Sequence, residues 1–184
     1  MNKVLIVIAY YKEINEHKNQ VGKLWKVNDK VDMCISGIGL RDFFVDLSKY
    51  DKVYNVGTCG AIPDKAKVGD IIFPGETGGL LAQLQNFYGL KKQKTLCRQG
   101  VCKTMDYVCE KVPSFLPDYK MIDVVDMEYE LLLRLCLKAG KPLIVAKVVS
   151  DTIGRKHKDI DVCVVNQRLK IKNIIKNILY LEEK

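Results

Sequence analysis

DVVDMEYELLLRLCLKAGKPLIVAKVVSD, residues 123–151, decides the reading of this chain. Val124-Val125 end a strand, Asp126-Met127-Glu128 turn, and a helix follows. In it Leu131, Leu132, Leu135 and Ala139 recur at helical spacing. Gly140 and Pro142 stop that helix, as a C-terminal Gly followed by Pro does. The next run, LIVAKVV at 143–149, is β-branched and mostly apolar, so it reads as a buried strand. It ends on Ser150-Asp151. Two acids, Glu128 and Asp151, thus stand at strand ends beside a helix start or a loop, where open α/β sheets bind ligands. A carboxylate is also favoured at a helix start by the local dipole alone, so neither acid assigns a site by itself.

Working outward, residues 3–9 and VDMCIS at 31–36 read as buried strands. Gly37-Ile38-Gly39 follows, then an expected helix at about 40–49. KVYNV at 52–56 is a third strand, expected to end in a turn, Gly57-Thr58-Cys59-Gly60. Val68-Gly69-Asp70 turns into a strand at 70–73, stopped by Pro74-Gly75. Residues 76–92 give no assignment. A strand is expected at 94–103 and a short helix at 104–112, before Pro113 and Pro117. One long helix is expected at about 159–181, with Ile171, Ile174, Ile175, Ile178 and Leu179 on one face. Strands alternating with helices imply a three-layer αβα sandwich around a mixed, largely parallel sheet.

The 184 residues are 48% hydrophobic and 28% charged, which suits one globular domain over 1–184. The net charge of +8 comes from scattered lysines without the aromatic interleaving of single-strand binders, so no nucleic-acid partner is expected. Seven cysteines, an odd number without a CxxC pair, read as reduced thiols in a cytoplasmic protein. With no zinc spacing and only His17 and His157, no metal site is expected. The N-terminal run VLIVIAYY is too short to span a membrane.

SGIG at 36–39, NVGTCGAIPDKAKVGDII at 55–72, VVDMEYELL at 124–132 and VVSD at 148–151 resemble, in this order, motifs of the nucleoside phosphorylase family. That family includes purine nucleoside phosphorylase, uridine phosphorylase and 5′-methylthioadenosine/S-adenosylhomocysteine nucleosidase. The resemblance implies cleavage of the N-ribosidic bond of a purine-type nucleoside, without metal or organic cofactor. It implies that Asp151 protonates N7 of the leaving base and that Glu128 binds the ribose hydroxyls, with Met127 packed on the sugar. Thr58 would sit by the nucleophile, and Gly57 and Ser150 join the substrate-binding set. Glu13 aligns with the glutamate that activates water in the nucleosidases, and Tyr107 with the aromatic that stacks on the base.

Chemistry agrees with those roles. The leaving base needs a proton, the sugar develops positive charge, and a second carboxylate can deprotonate an attacking water. Phosphorolysis is the alternative, with inorganic phosphate as co-substrate held by Thr58 and Arg41. Asn55 stands where purine phosphorylases place a phosphate-binding arginine, and a dianion needs cations or several N–H donors, so hydrolysis is the favoured reading. A member that binds nucleosides without turnover is the third. The isoleucine face of the last helix suits either ordinary core packing or the interface of a homodimer or larger homo-oligomer, which is the expected state, and the resemblance implies that a neighbouring subunit completes the 5′ end of the site.

Overall fold

The computed structural model describes residues 3–15, 18–90, 95–107, 119–154 and 160–184. Among the described residues nine strands form one mixed sheet: β1 Val4–Ile8, β2 Leu24–Lys26, β3 Val31–Ile35, β4 Lys52–Ala61, β5 Ile71–Phe73, β6 Cys97–Gln99, β7 Cys102–Thr104, β8 Val124–Asp126 and β9 Leu143–Thr152. Its main path runs β2-β3-β1-β4-β9-β5-β6, with β8 paired to both β4 and β7. The central pairs β3-β1, β1-β4 and β4-β9 are parallel, while β2, β5 and β8 join their neighbours β3, β9 and β4 antiparallel. β1 is buried on both faces, which is why it reads as an unbroken apolar run.

The α-helices of the described residues that cover the sheet are α1 Leu80–Leu90, α2 Tyr129–Lys138, α3 Ile160–Asn166 and α4 Arg168–Glu183. The alternation of β1 divides the core. Val4, Ile6 and Ile8 pack with Leu80 and Leu84 of α1 and with Ile171, Ile174 and Ile178 of α4. Leu5 and Val7 point the other way, toward Leu132 and Cys136 of α2. The result is the expected three-layer αβα sandwich. α2 ends in a Schellman motif: Gly140, at φ 64°, donates to the Leu137 carbonyl, and the Lys141 N–H reaches the Cys136 carbonyl at 2.8 Å.

Several boundaries differ from the sequence reading. No α-helix forms at 40–49; two 3-10 turns, Ile38–Leu40 and Leu47–Lys49, stand there instead, because Gly37, Gly39 and Leu40 all adopt positive φ. Gly57-Thr58-Cys59-Gly60 is not a turn but the continuation of β4 alongside β9. The strand expected at 94–103 is split into β6 and β7 around Gly100, and Thr104 of the expected 104–112 helix belongs to β7. Residues 108–112 of that helix, Cys109, His17 and His157 lie outside the described residues. The last helix is broken at Gln167 into α3 and α4. Its isoleucine face is filled by the chain's own core, so it does not provide the subunit interface inferred from its pattern.

Candidate active site

The carboxyl ends of β1, β4 and β9 and the β8–α2 turn converge on one open cleft of about 850 Å³ including its mouth. Most of the residues singled out in the sequence line it: Glu13, Thr58, Met127, Glu128, Ser150 and Asp151, with Tyr107 at the rim, 47% exposed. Gly57 lies under the cleft and does not line it. Arg41 is exposed and is not among the lining residues. None of the lining residues is a lysine or arginine, and five are aspartate or glutamate.

Glu13 follows β1 in a 3-10 turn, Tyr11–Glu13, and is buried. One of its carboxylate oxygens accepts from the Thr58 backbone N–H at 2.6 Å and from the Thr58 hydroxyl at 2.8 Å. The other accepts from the Tyr10 N–H at 3.2 Å. Gly57 makes this possible: a Cβ there would stand 3.1 Å from the Glu13 carboxylate. Burial pushes the Glu13 carboxyl above its usual range, while the Lys147 charge and the Thr58 bonds pull it back part of the way.

Lys147 is the residue the sequence reading passed over. It lies in the middle of β9 with no solvent exposure, paired to Asp126 at 2.8 Å and to Glu128 at 3.4 Å. Burial alone would lower its ammonium, but the two carboxylates outweigh that and hold it above its ordinary value. The other Glu128 oxygen accepts from the Gly39 N–H at 3.0 Å. Asp126 also takes the Tyr129 N–H at 2.9 Å and the Thr104 hydroxyl at 2.9 Å, tying the start of α2 to β7. A signal for this triad was present: a lysine among six apolar residues of a buried strand needs a buried acid as partner.

Asp151 sits one residue past an irregularity in β9, where Cys59 pairs with Val149 but Gly60 pairs with Asp151. Such bulges re-aim side chains beside functional sites. The Ser150 hydroxyl bridges the Asp151 carboxylate, at 2.7 Å, and the Cys59 carbonyl. At the mouth, Tyr10 and Asp161 of α3 also line the cleft, joined by a 2.6 Å bond from the Tyr10 hydroxyl. Lys12 pairs with the same Asp161. Among the described residues no group of His, Cys, Asp and Glu is arranged to hold a metal ion, and no helix is long and apolar enough to cross a membrane.

The sheet order, the paired acids at strand ends and the four sequence motifs point to one class, and the chain is similar to members of the nucleoside phosphorylase family. A curated relative is the 5′-methylthioadenosine/S-adenosylhomocysteine nucleosidase of Buchnera aphidicola subsp. Acyrthosiphon pisum. It is 28% identical over 182 residues, covering 79% of this chain and 77% of the relative. No protein-family model matches the chain. The fold is shared with nucleosidases of the same name. The one from Colwellia psychrerythraea 34H, solved with adenine, has a TM-score of 0.75 at 18% identity over 97% of this chain and 94% of its own. The Helicobacter pylori protein, solved with butyl-thio-DADMe-Immucillin-A, gives 0.76 at 16% identity over 97% and 98%.

Proposed function

We propose that this chain hydrolyses the N-ribosidic bond of purine nucleosides of the 5′-methylthioadenosine/S-adenosylhomocysteine type, releasing free base and a ribose derivative. The observation that carries this is a buried Glu13 carboxylate, fixed by Thr58, in a cleft whose lining includes Asp151 but no cation for a phosphate. In this reading the base departs with the bonding electrons of its C1′–N9 bond. Asp151, positioned by Ser150, gives a proton to N7. Glu128 holds the ribose hydroxyls and offsets the positive charge growing on the sugar, with Met127 against the ring and Tyr107 on the base. Water adds to C1′, and Glu13 takes its proton. A carboxyl moved upward by burial is the stronger base of its kind.

The phosphorolytic alternative is weaker on the same grounds: a dianion needs cations or several N–H donors, no lysine or arginine lines the cleft, and Arg41 is not among the lining residues. The test is a nucleoside panel assayed with and without inorganic phosphate. Base release independent of phosphate, with free sugar as product, is expected; a sugar 1-phosphate would reverse the assignment. We read residues 1–184 as one domain acting without cofactor as a homodimer or larger homo-oligomer. The support is an apolar strip on the outer side of α2, Leu131 and Leu135, both exposed. The buried thiols of Cys34, Cys59, Cys97, Cys102 and Cys136, which form no disulfide, support a cytoplasmic setting.

A further inference from the structure

Two polar stations lie in the cleft and a third stands at its mouth. Ser150-Asp151 with Tyr107 is one, and Glu13-Thr58-Glu128 is the second. The third, Tyr10-Lys12-Asp161, has no part in the chemistry above; Tyr10 and Asp161 line the mouth, and Lys12, outside the lining, pairs with Asp161. It adjoins the second, since Tyr10 binds Glu13 through its backbone N–H. It is also built: the Tyr10 hydroxyl and the Lys12 ammonium both reach Asp161, and Arg168 of α4 anchors the turn through the Lys12 carbonyl at 2.5 Å. The Lys12 and Asp161 side chains remain 29% and 41% exposed, so a bound molecule can reach both.

We propose that this station makes the chain selective for nucleosides whose 5′ carbon carries an amino-acid arm, over those ending in a bare alkyl thioether. The inference rests on the nucleosidase reading. A nucleoside extends from its ribose in two directions, the base at C1′ and the 5′ substituent at C4′. With the base committed to Asp151, the station beside Glu13 is left for the other end. An anion and a cation held side by side match a zwitterion: the arm's ammonium meets Asp161 and the Tyr10 oxygen, and its carboxylate meets the remaining Lys12 N–H groups. Charge-assisted bonds of this kind are about twice as strong as neutral ones. A methyl thioether offers no partner and covers the ion pair, at a desolvation cost.

The experiment compares S-adenosylhomocysteine with 5′-methylthioadenosine, by kcat/KM for base release and by calorimetric Kd, in the unmodified protein, Lys12→Met and Asp161→Asn. The unmodified protein is expected to favour the amino-acid arm, and each variant to lower the arm-to-methylthio ratio about tenfold. Equal losses on both nucleosides would mark the cluster as a structural contact and overturn the inference. So would a change in preference between adenine and hypoxanthine bases at constant arm ratio, which would assign the station to the base. Binding of both nucleosides without base release would refute the nucleosidase reading, and the Kd ratio would then decide this inference by the same criterion. Binding of neither would overturn both.

Discussion

Glycine at position 57 costs the chain a side chain in the middle of β4, and the reason is the carboxylate beside it. A methyl group there would press on both Glu13 oxygens, at 3.1 and 3.2 Å. Gly57→Ala should shift that carboxylate by a few tenths of an ångström off the Thr58 donors, and kcat should fall about tenfold, since sub-ångström misplacement of reacting groups is costly. Retained kcat in a folded Gly57→Ala protein would show that this placement does not matter. Asp151→Asn keeps shape and a donor but cannot deliver a proton. Turnover of ordinary purine nucleosides should fall about 10²–10⁴-fold, while a nitrophenyl riboside, whose leaving group needs no proton, should lose far less. Equal slowing of both substrates would make Asp151 a positioning residue instead.

At the scale of elements, β9 joins fold and site: its even positions, Ile144, Ala146 and Val148, fill one core, while Lys147 sits between them neutralising Asp126 and Glu128. Lys147→Met should destabilise the protein by about 3–5 kcal/mol, the usual cost of leaving buried charges without their partner. It should also move the acidic limb of the pH–rate profile upward. Glu13 must be ionised to accept a proton, so activity rises with pH through its already raised pKa, and loss of the Lys147 charge raises that pKa further. A limb that stays in place in thermally titrated, folded variant would refute the electrostatic link. β1, β3, α2 and β9 were legible in the sequence because each carries a long periodic or apolar run ended by clear breakers. The 38–49 segment was not, because its turns depend on positive φ at Leu40 as well as at two glycines. Gly57 and Gly60 were misread as a turn because their small size serves close contacts, with Glu13 and with Asp151, that only the folded sheet creates. Glu13, Glu128 and Asp151 were found through motifs, whereas Lys147 and Asp126 are a pair formed across 21 positions of sequence, and Tyr10 and Asp161 across 151.

For the whole molecule, the isoleucine face that suggested assembly is spent on the interior, and the exposed strip on α2 takes its place as the support for a homo-oligomer. Light scattering at micromolar concentration should give at least a dimer mass, and Leu135→Glu should lower it; a monomer throughout would dismiss the assembly. The +8 net charge surrounds a cleft lined with acids rather than cations, so the basic surface does not make the site a phosphate-binding one. The central claim is that water, activated by Glu13, attacks the sugar. Its most direct measurement is single-turnover base release by Glu13→Gln beside the unmodified protein, with nucleoside affinity measured in parallel. The account predicts a loss of about 10²–10⁴-fold in the rate constant with affinity largely kept; an unchanged rate constant in Glu13→Gln would contradict it.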